Sequence, residues 1–172
     1  MKRLLLLRHA KSSWNDEGAL DFERPLAARG ERDAPEMGNR LRGRGIAVDL
    51  VLASPAARAK RTAALVAAAL GYADERVAFA QELYLASPAT LLQAIERQSD
   101  SVATLLVVGH NPGLTELANL LVAELDLDNL PTAGVVAIGC ETQHWAALGS
   151  APRSLLFYDF PKNPAAPATT RL

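Results

Sequence analysis

Apolar positions along the chain follow two rhythms. Short continuous runs, of which Leu4 to Leu7 is the plainest, have the length and composition of strands buried on both faces. Between them lie longer alanine- and leucine-rich stretches of helical character. This alternation predicts strands at residues 3–7, 50–53, 77–80, 104–108 and 135–139, with a sixth near 154–160. It predicts helices at 28–42, 55–70, 88–97 and 112–124. Gly71 stands where a left-handed residue would stop the second helix. Ser54-Pro55 and Asn111-Pro112 each read as a capping side chain followed by proline at the first helical position. The fold class expected is α/β: one three-layer domain, a mostly parallel central sheet with helices on both faces.

Composition narrows this picture. A chain of 172 residues, 49% hydrophobic, suits one core rather than two. The domain is expected over 1–160, and 161–172, with three prolines among small polar residues, as an extended or flexible tail. Eighteen basic and 19 acidic side chains give a net charge of -1, which supplies no field for nonspecific nucleic-acid binding. No apolar run approaches the roughly 20 residues of a membrane span. Arg8, His9 and Lys11 interrupt the leucine run too early for a secretory signal. A single cysteine excludes an internal disulfide, and three histidines with one cysteine match no zinc spacing. The expectation is a cytoplasmic protein without membrane, nucleic-acid, metal or cofactor partners.

Candidate chemistry collects at the carboxyl ends of the predicted strands, where open α/β sheets form their ligand crevice. Arg8-His9 follows the first strand and Ser54-Pro55-Ala56-Ala57-Arg58 the second. Glu82 follows the third, and Gly109-His110-Asn111-Pro112 the fourth. Arg58 lies in a helical first turn, where the macrodipole disfavours a cation by about 0.3–1 kcal/mol. It is either one of a solvated face with Lys60 and Arg61 or a phosphate ligand. A lone histidine at a strand end is an ordinary structural residue. Two beside arginines suggest phosphoryl transfer through a covalent histidine. His9 would attack phosphorus, and Arg8, Arg58 and His110 would hold the equatorial oxygens. His144 reads as a surface residue and Cys140 as a buried, inert thiol.

At these residues the chain resembles the histidine phosphatase superfamily, which also contains the phosphoglycerate mutases. The matching elements are Leu7-Arg8-His9-Ala10, then Ser54-Pro55 with Arg58 and Thr62, then Gly109-His110-Asn111. Lys11-Ser12-Ser13-Trp14, Arg24-Pro25-Leu26 and Arg29-Gly30, with the small size, resemble the SixA-type phosphohistidine phosphatases. The resemblance implies a phosphoglycerate mutase-like fold, with His9 as the phosphorylated nucleophile and Arg8, Arg58 and His110 as its phosphate pocket. It adds Ser12, Asn15 and Arg24 as phosphate contacts, against turn chemistry for the first two and a salt bridge for Arg24. Glu82 falls where many members carry the acid that protonates the leaving oxygen, against a plain salt bridge. Ala10 departs from the glycine common at that position.

Other readings have less support. Gly43-Arg44-Gly45 follows a helix and lacks the third glycine of a dinucleotide fingerprint. No Walker-type loop is present, and Asp126 and Asp128 have no histidine companion for a metallophosphatase. The expected activity is hydrolysis of phosphohistidine on a protein, possible partners including a phosphorelay histidine domain. The alternatives are a phosphatase or mutase for small phosphomonoesters and a non-catalytic phosphate- or phosphohistidine-binding module.

Overall fold

The computed structural model describes residues 1–164. Its strands are β1 (Lys2–Arg8), β2 (Leu50–Ala53), β3 (Ala78–Phe79), β4 (Thr104–Gly109), β5 (Val135–Cys140) and β6 (Arg153–Asp159). They form one sheet in the order β3-β2-β4-β1-β5-β6. The first four in that order are parallel, β5 is antiparallel to β1, and β6 to β5, so β5 alone opposes the rest. The helices are α1 (Ala28–Gly43), α2 (Ala57–Leu70), α3 (Pro88–Glu96) and α4 (Gly113–Leu121).

Leu4 to Leu7 are fully buried because both faces of β1 are covered. Leu4 and Leu6 join the core under α3 and α4, which contribute Leu91, Ile95, Leu114 and Leu117. Leu5 and Leu7 join the core under α1 and α2, which contribute Met37, Leu41, Ala63 and Val66. Each fully buried leucine contributes about 1.5–3 kcal/mol of transfer free energy. The strand that leads into His9 is therefore firmly held, as is β4, whose Leu105, Leu106, Val107 and Val108 are equally buried.

Two glycines have specific work. Gly71 adopts φ 72° at the end of α2, the left-handed stop expected from the sequence. Gly30, in the first turn of α1, lies against the chain that follows β1. A Cβ there would come within 2.3 Å of the Lys11 carbonyl oxygen, and this contact sets the loop beyond His9 against α1.

The two expected proline starts are corrected. α2 begins at Ala57 and α4 at Gly113, and neither has a side-chain cap. Ser54 Oγ is engaged with His110 at 2.7 Å. The Asn111 side chain donates to Asn129 and Leu130 and accepts from Thr115, and the Asn111–Pro112 peptide is cis. The helix that does start by this rule is α3, where Ser87 accepts from Thr90 N–H and Pro88 is the first residue. α4 ends at Leu121, short of the expected 124, because Val122 turns extended. β3 keeps only two of four expected residues. At the C-terminus, Asn163 N–H donates to Phe160 O in a turn, and Arg40 donates to Pro161 O at 3.0 Å. Packing thus continues past 160, and the expected tail from 165 onward lies outside the described residues.

Candidate active site

The carboxyl ends of β1, β2 and β4 bring His9, Ser54 and His110 to one edge of the sheet, and the first turn of α2 adds Arg58. His9, Arg58 and His110 are all buried, at 7%, 2% and 2% exposure. Such burial of three titratable groups demands that their polar atoms be met by partners.

The His9 Nδ1–Ala10 O contact is 2.7 Å, so Nδ1 carries the hydrogen and donates it to the carbonyl. That leaves Nε2 with its lone pair, and Arg58 Nε–H donates to it at 3.3 Å. Thr62 fixes this geometry from α2. Its Oγ1 accepts from Ala10 N–H at 2.9 Å and donates to Arg58 O at 2.7 Å, tying both neighbours of the contact together. The His9 and His110 rings are 5.3 Å apart, and Tyr84 meets His110 edge-on at 5.4 Å. Nδ1 of His110 is buried and has no hydrogen-bond partner among the described residues.

Burial, reinforced by His110, Arg58 and Arg8, holds the His9 pKa down to about 3 against the opposing Ala10 hydrogen bond. Burial and then Arg58 push His110 down to about 4. Both imidazoles are neutral at pH 7, the form in which an imidazole can act as a nucleophile.

The structure adds Asp21, which the sequence reading did not single out. Arg58 donates to the Asp21 backbone oxygen at 2.7 Å and to its Oδ2 at 3.0 Å. Arg24 donates to Oδ1 from Nε and Nη2 at 3.2 and 3.0 Å, and the Tyr84 hydroxyl donates to Oδ2. The Tyr84 hydrogen bond first, then Arg24 and Arg58, hold the Asp21 carboxyl down to about 2. The signal in the sequence was the i, i+3 spacing of Asp21 and Arg24, too common to mark a site without the fold.

The remaining candidates divide. Ser12 and Arg24 are buried and joined, Arg24 Nη1 donating to Ser12 Oγ at 2.7 Å, and the Arg24 guanidinium stacks on Trp14 at 3.7 Å. They reach the cluster through Asp21. Arg8 is half-buried at the end of β1. Its Nη1 donates to Leu130 O at 2.9 Å, and it acts on His9 through its charge. Asn15 is exposed in a turn where its N–H donates to Ser13 Oγ. Glu82 is exposed in the short turn after β3 and accepts from Arg97 at 3.1 Å, the ion pair of the plainer reading.

Lys60 and Arg61 are exposed, Arg61 pairing with Glu31, so the solvated face exists but excludes Arg58. His144 is a surface residue paired with Asp100, and burial raises the Cys140 thiol to about 11.

The chain and its α/β fold have known counterparts. The profile of the histidine phosphatase superfamily (branch 1) matches residues 4–85. An uncharacterised protein of Mycobacterium tuberculosis is 38% identical over 165 residues, spanning 91% of this chain and 100% of that one. A candidate phosphohistidine phosphatase SixA of Nakamurella multipartitia superposes with TM-score 0.81 at 28% identity, covering 94% of this chain and 97% of its own. A second candidate SixA, from Agrobacterium tumefaciens, gives TM-score 0.79 at 28% identity over 93% and 98%. The chain belongs to the histidine phosphatase superfamily and has its phosphoglycerate mutase-like fold.

Proposed function

We propose that the chain is a phosphatase that forms a covalent phosphohistidine on His9, and that its preferred substrate is phosphohistidine borne by a protein. The observation that carries the mechanism is the His9 ring. Nδ1–H is committed to Ala10 O, Nε2 faces Arg58, and the imidazole is neutral at pH 7.

Nε2 attacks phosphorus, and the bond to the leaving group breaks with its electron pair. Water then attacks phosphorus, the P–Nε2 bond breaks, and inorganic phosphate leaves with His9 neutral again. Arg8 and Arg58 offset the charge on the equatorial oxygens. Ser54 Oγ accepts from Ala56 N–H at 3.3 Å. With its own proton on His110 Nε2, Nδ1–H of His110 is left as a donor to phosphate. Asp21 holds the Nη2 prong of Arg58 until a phosphoryl group arrives. No step calls on a metal ion.

Support for the protein-borne substrate comes from the SixA likeness and from the exposed Trp14, Leu20 and Leu85 beside Arg24, Asp21 and Tyr84. An apolar rim of this kind suits a protein surface better than a small ester. The test compares phosphate release by wild type and His9→Ala, in EDTA, from a phosphohistidine protein and from small phosphomonoesters. His9-dependent release favouring phosphohistidine is expected. Release only from a small ester keeps the mechanism and replaces the substrate. No release from either points to a binding module.

A further inference from the structure

In the sheet order, β1 stands between two neighbourhoods. β4 and β2 carry His110 and Ser54, whereas the loops flanking β5 and β6 carry Thr132 and Lys162. On this second side lies a cavity of about 360 Å³, open to solvent and lined by Arg8, Lys11, Arg29 and Lys162. Among the described residues, Asp33 is the one carboxylate in its wall. Four cations against one acid is a local concentration of positive charge in a chain whose net charge is -1.

Two of these cations have hydrogen-bonding capacity left over. Among the described residues, neither Nε of Arg8 nor Nε of Arg29 has a hydrogen-bond partner, and both atoms are shielded from solvent. Arg29, 42% exposed, forms an ion pair with Asp33 through Nε at 3.8 Å, beyond hydrogen-bonding range. With Lys11 and Lys162, the two guanidiniums make the wall of a solvent-open cavity electropositive, a setting that favours an oxyanion. The Lys11 carbonyl packed on Gly30 fixes the distance between the loop bearing Lys11 and the helix bearing Arg29.

We propose that this cavity is a second oxyanion subsite, taking a phosphate or carboxylate group while the phosphoryl group to be transferred sits at His9, with Arg8 as the shared wall. The occupant is either a second anionic group on the substrate itself or a free oxyanion. This rests on the phosphatase reading above.

Inorganic phosphate is the first probe, with stoichiometry and affinity measured by calorimetry. Wild type is expected to bind two phosphates, Arg58→Ala to retain the one in the cavity, and Lys11→Gln/Arg29→Gln to retain the one at His9. Lys162→Gln, at an exposed residue, is the milder variant and is expected to weaken the cavity phosphate severalfold without a folding risk. Substrate kinetics then separate the two sources. Phenyl phosphate is compared with phosphate esters bearing a carboxylate on arms of increasing length. A substrate-borne occupant gives one arm length a KM advantage of about tenfold that the double variant abolishes. A free occupant gives phosphate binding at the cavity with no such advantage.

A single phosphate in wild type, lost in Arg58→Ala and untouched by the Lys11, Arg29 and Lys162 changes, overturns the subsite and leaves the His9 mechanism standing. Undiminished turnover by His9→Ala overturns the mechanism whatever the stoichiometry.

Discussion

Two basic clusters flank β1, and they differ in how their charge is met. Around His9, the N–H groups of Arg58 are taken up by His9 Nε2 and by the backbone and carboxylate of Asp21, and Arg24 is held by Asp21 and Ser12. Across β1, Arg8, Lys11, Arg29 and Lys162 face a single carboxylate, Asp33, among the described residues. The two guanidiniums of the first cluster are held by the protein itself and so are already oriented, which is where electrostatic catalysis gains most. The second is left incomplete, as a site for something that comes and goes.

The largest effect expected tests the first cluster. His9→Ala should reduce turnover by roughly 10⁴-fold or more, as loss of a covalent nucleophile does. Steady-state hydrolysis within tenfold of wild type would break the comparison at its centre. Arg58→Ala should lower kcat/KM by about 10²–10³-fold, against less than about tenfold for Arg29→Gln on phenyl phosphate. Equal losses would mean that the two clusters are one site.

The pH dependence of stability sharpens the contrast. Both histidines titrate below the ordinary 6.5 in the folded state, at about 3 and about 4. The unfolded chain therefore binds more protons in that window. Their contribution is complete above pH 6.5 and is lost as the pH falls toward 3, on the order of a few kcal/mol in all. Thermal melts from pH 7.5 to 4 should show the midpoint falling, with a shallower fall in His9→Ala. An identical slope in the variant would contradict the neutral, buried ring.

Asp21→Asn removes the carboxylate charge that Arg58 and Arg24 share. It should lower the inhibition constant of inorganic phosphate about fivefold, since one competitor for Arg58 is weakened. A rise instead would make Asp21 a positioning residue. Smallest of all, Glu82→Gln should change kcat less than about threefold, because its carboxylate pairs with Arg97 on the surface. A hundredfold loss would make Glu82 the proton donor.

Much of this was legible in the chain. The leucine run, the glycine stop at Gly71 and the chemistry at the strand ends all follow from local pattern. The two proline starts misled for an instructive reason. The side chains suited to capping, Ser54 and Asn111, are claimed by His110 and by Asn129, Leu130 and Thr115, so the local rule fails where the site needs those atoms. Asp21 and Tyr84 escaped notice because their partners lie far off in sequence. Arg58 is 37 residues from Asp21 and Tyr84 is 63, separations that no periodicity encodes.

Thr62 has a consequence for how the sequence can drift. One hydroxyl joins Ala10 N–H to the Arg58 carbonyl and so spaces His9 from the Arg58 guanidinium. Among its neighbours in α2, Ala63 and Val66 ask only for apolar volume. In a saturation library selected for activity, position 62 should admit threonine and serine and reject valine, its near-isostere, while positions 63 and 66 accept exchanges of similar size. Information content along this helix would then be high not only at Arg58 but also at a residue that never touches the substrate.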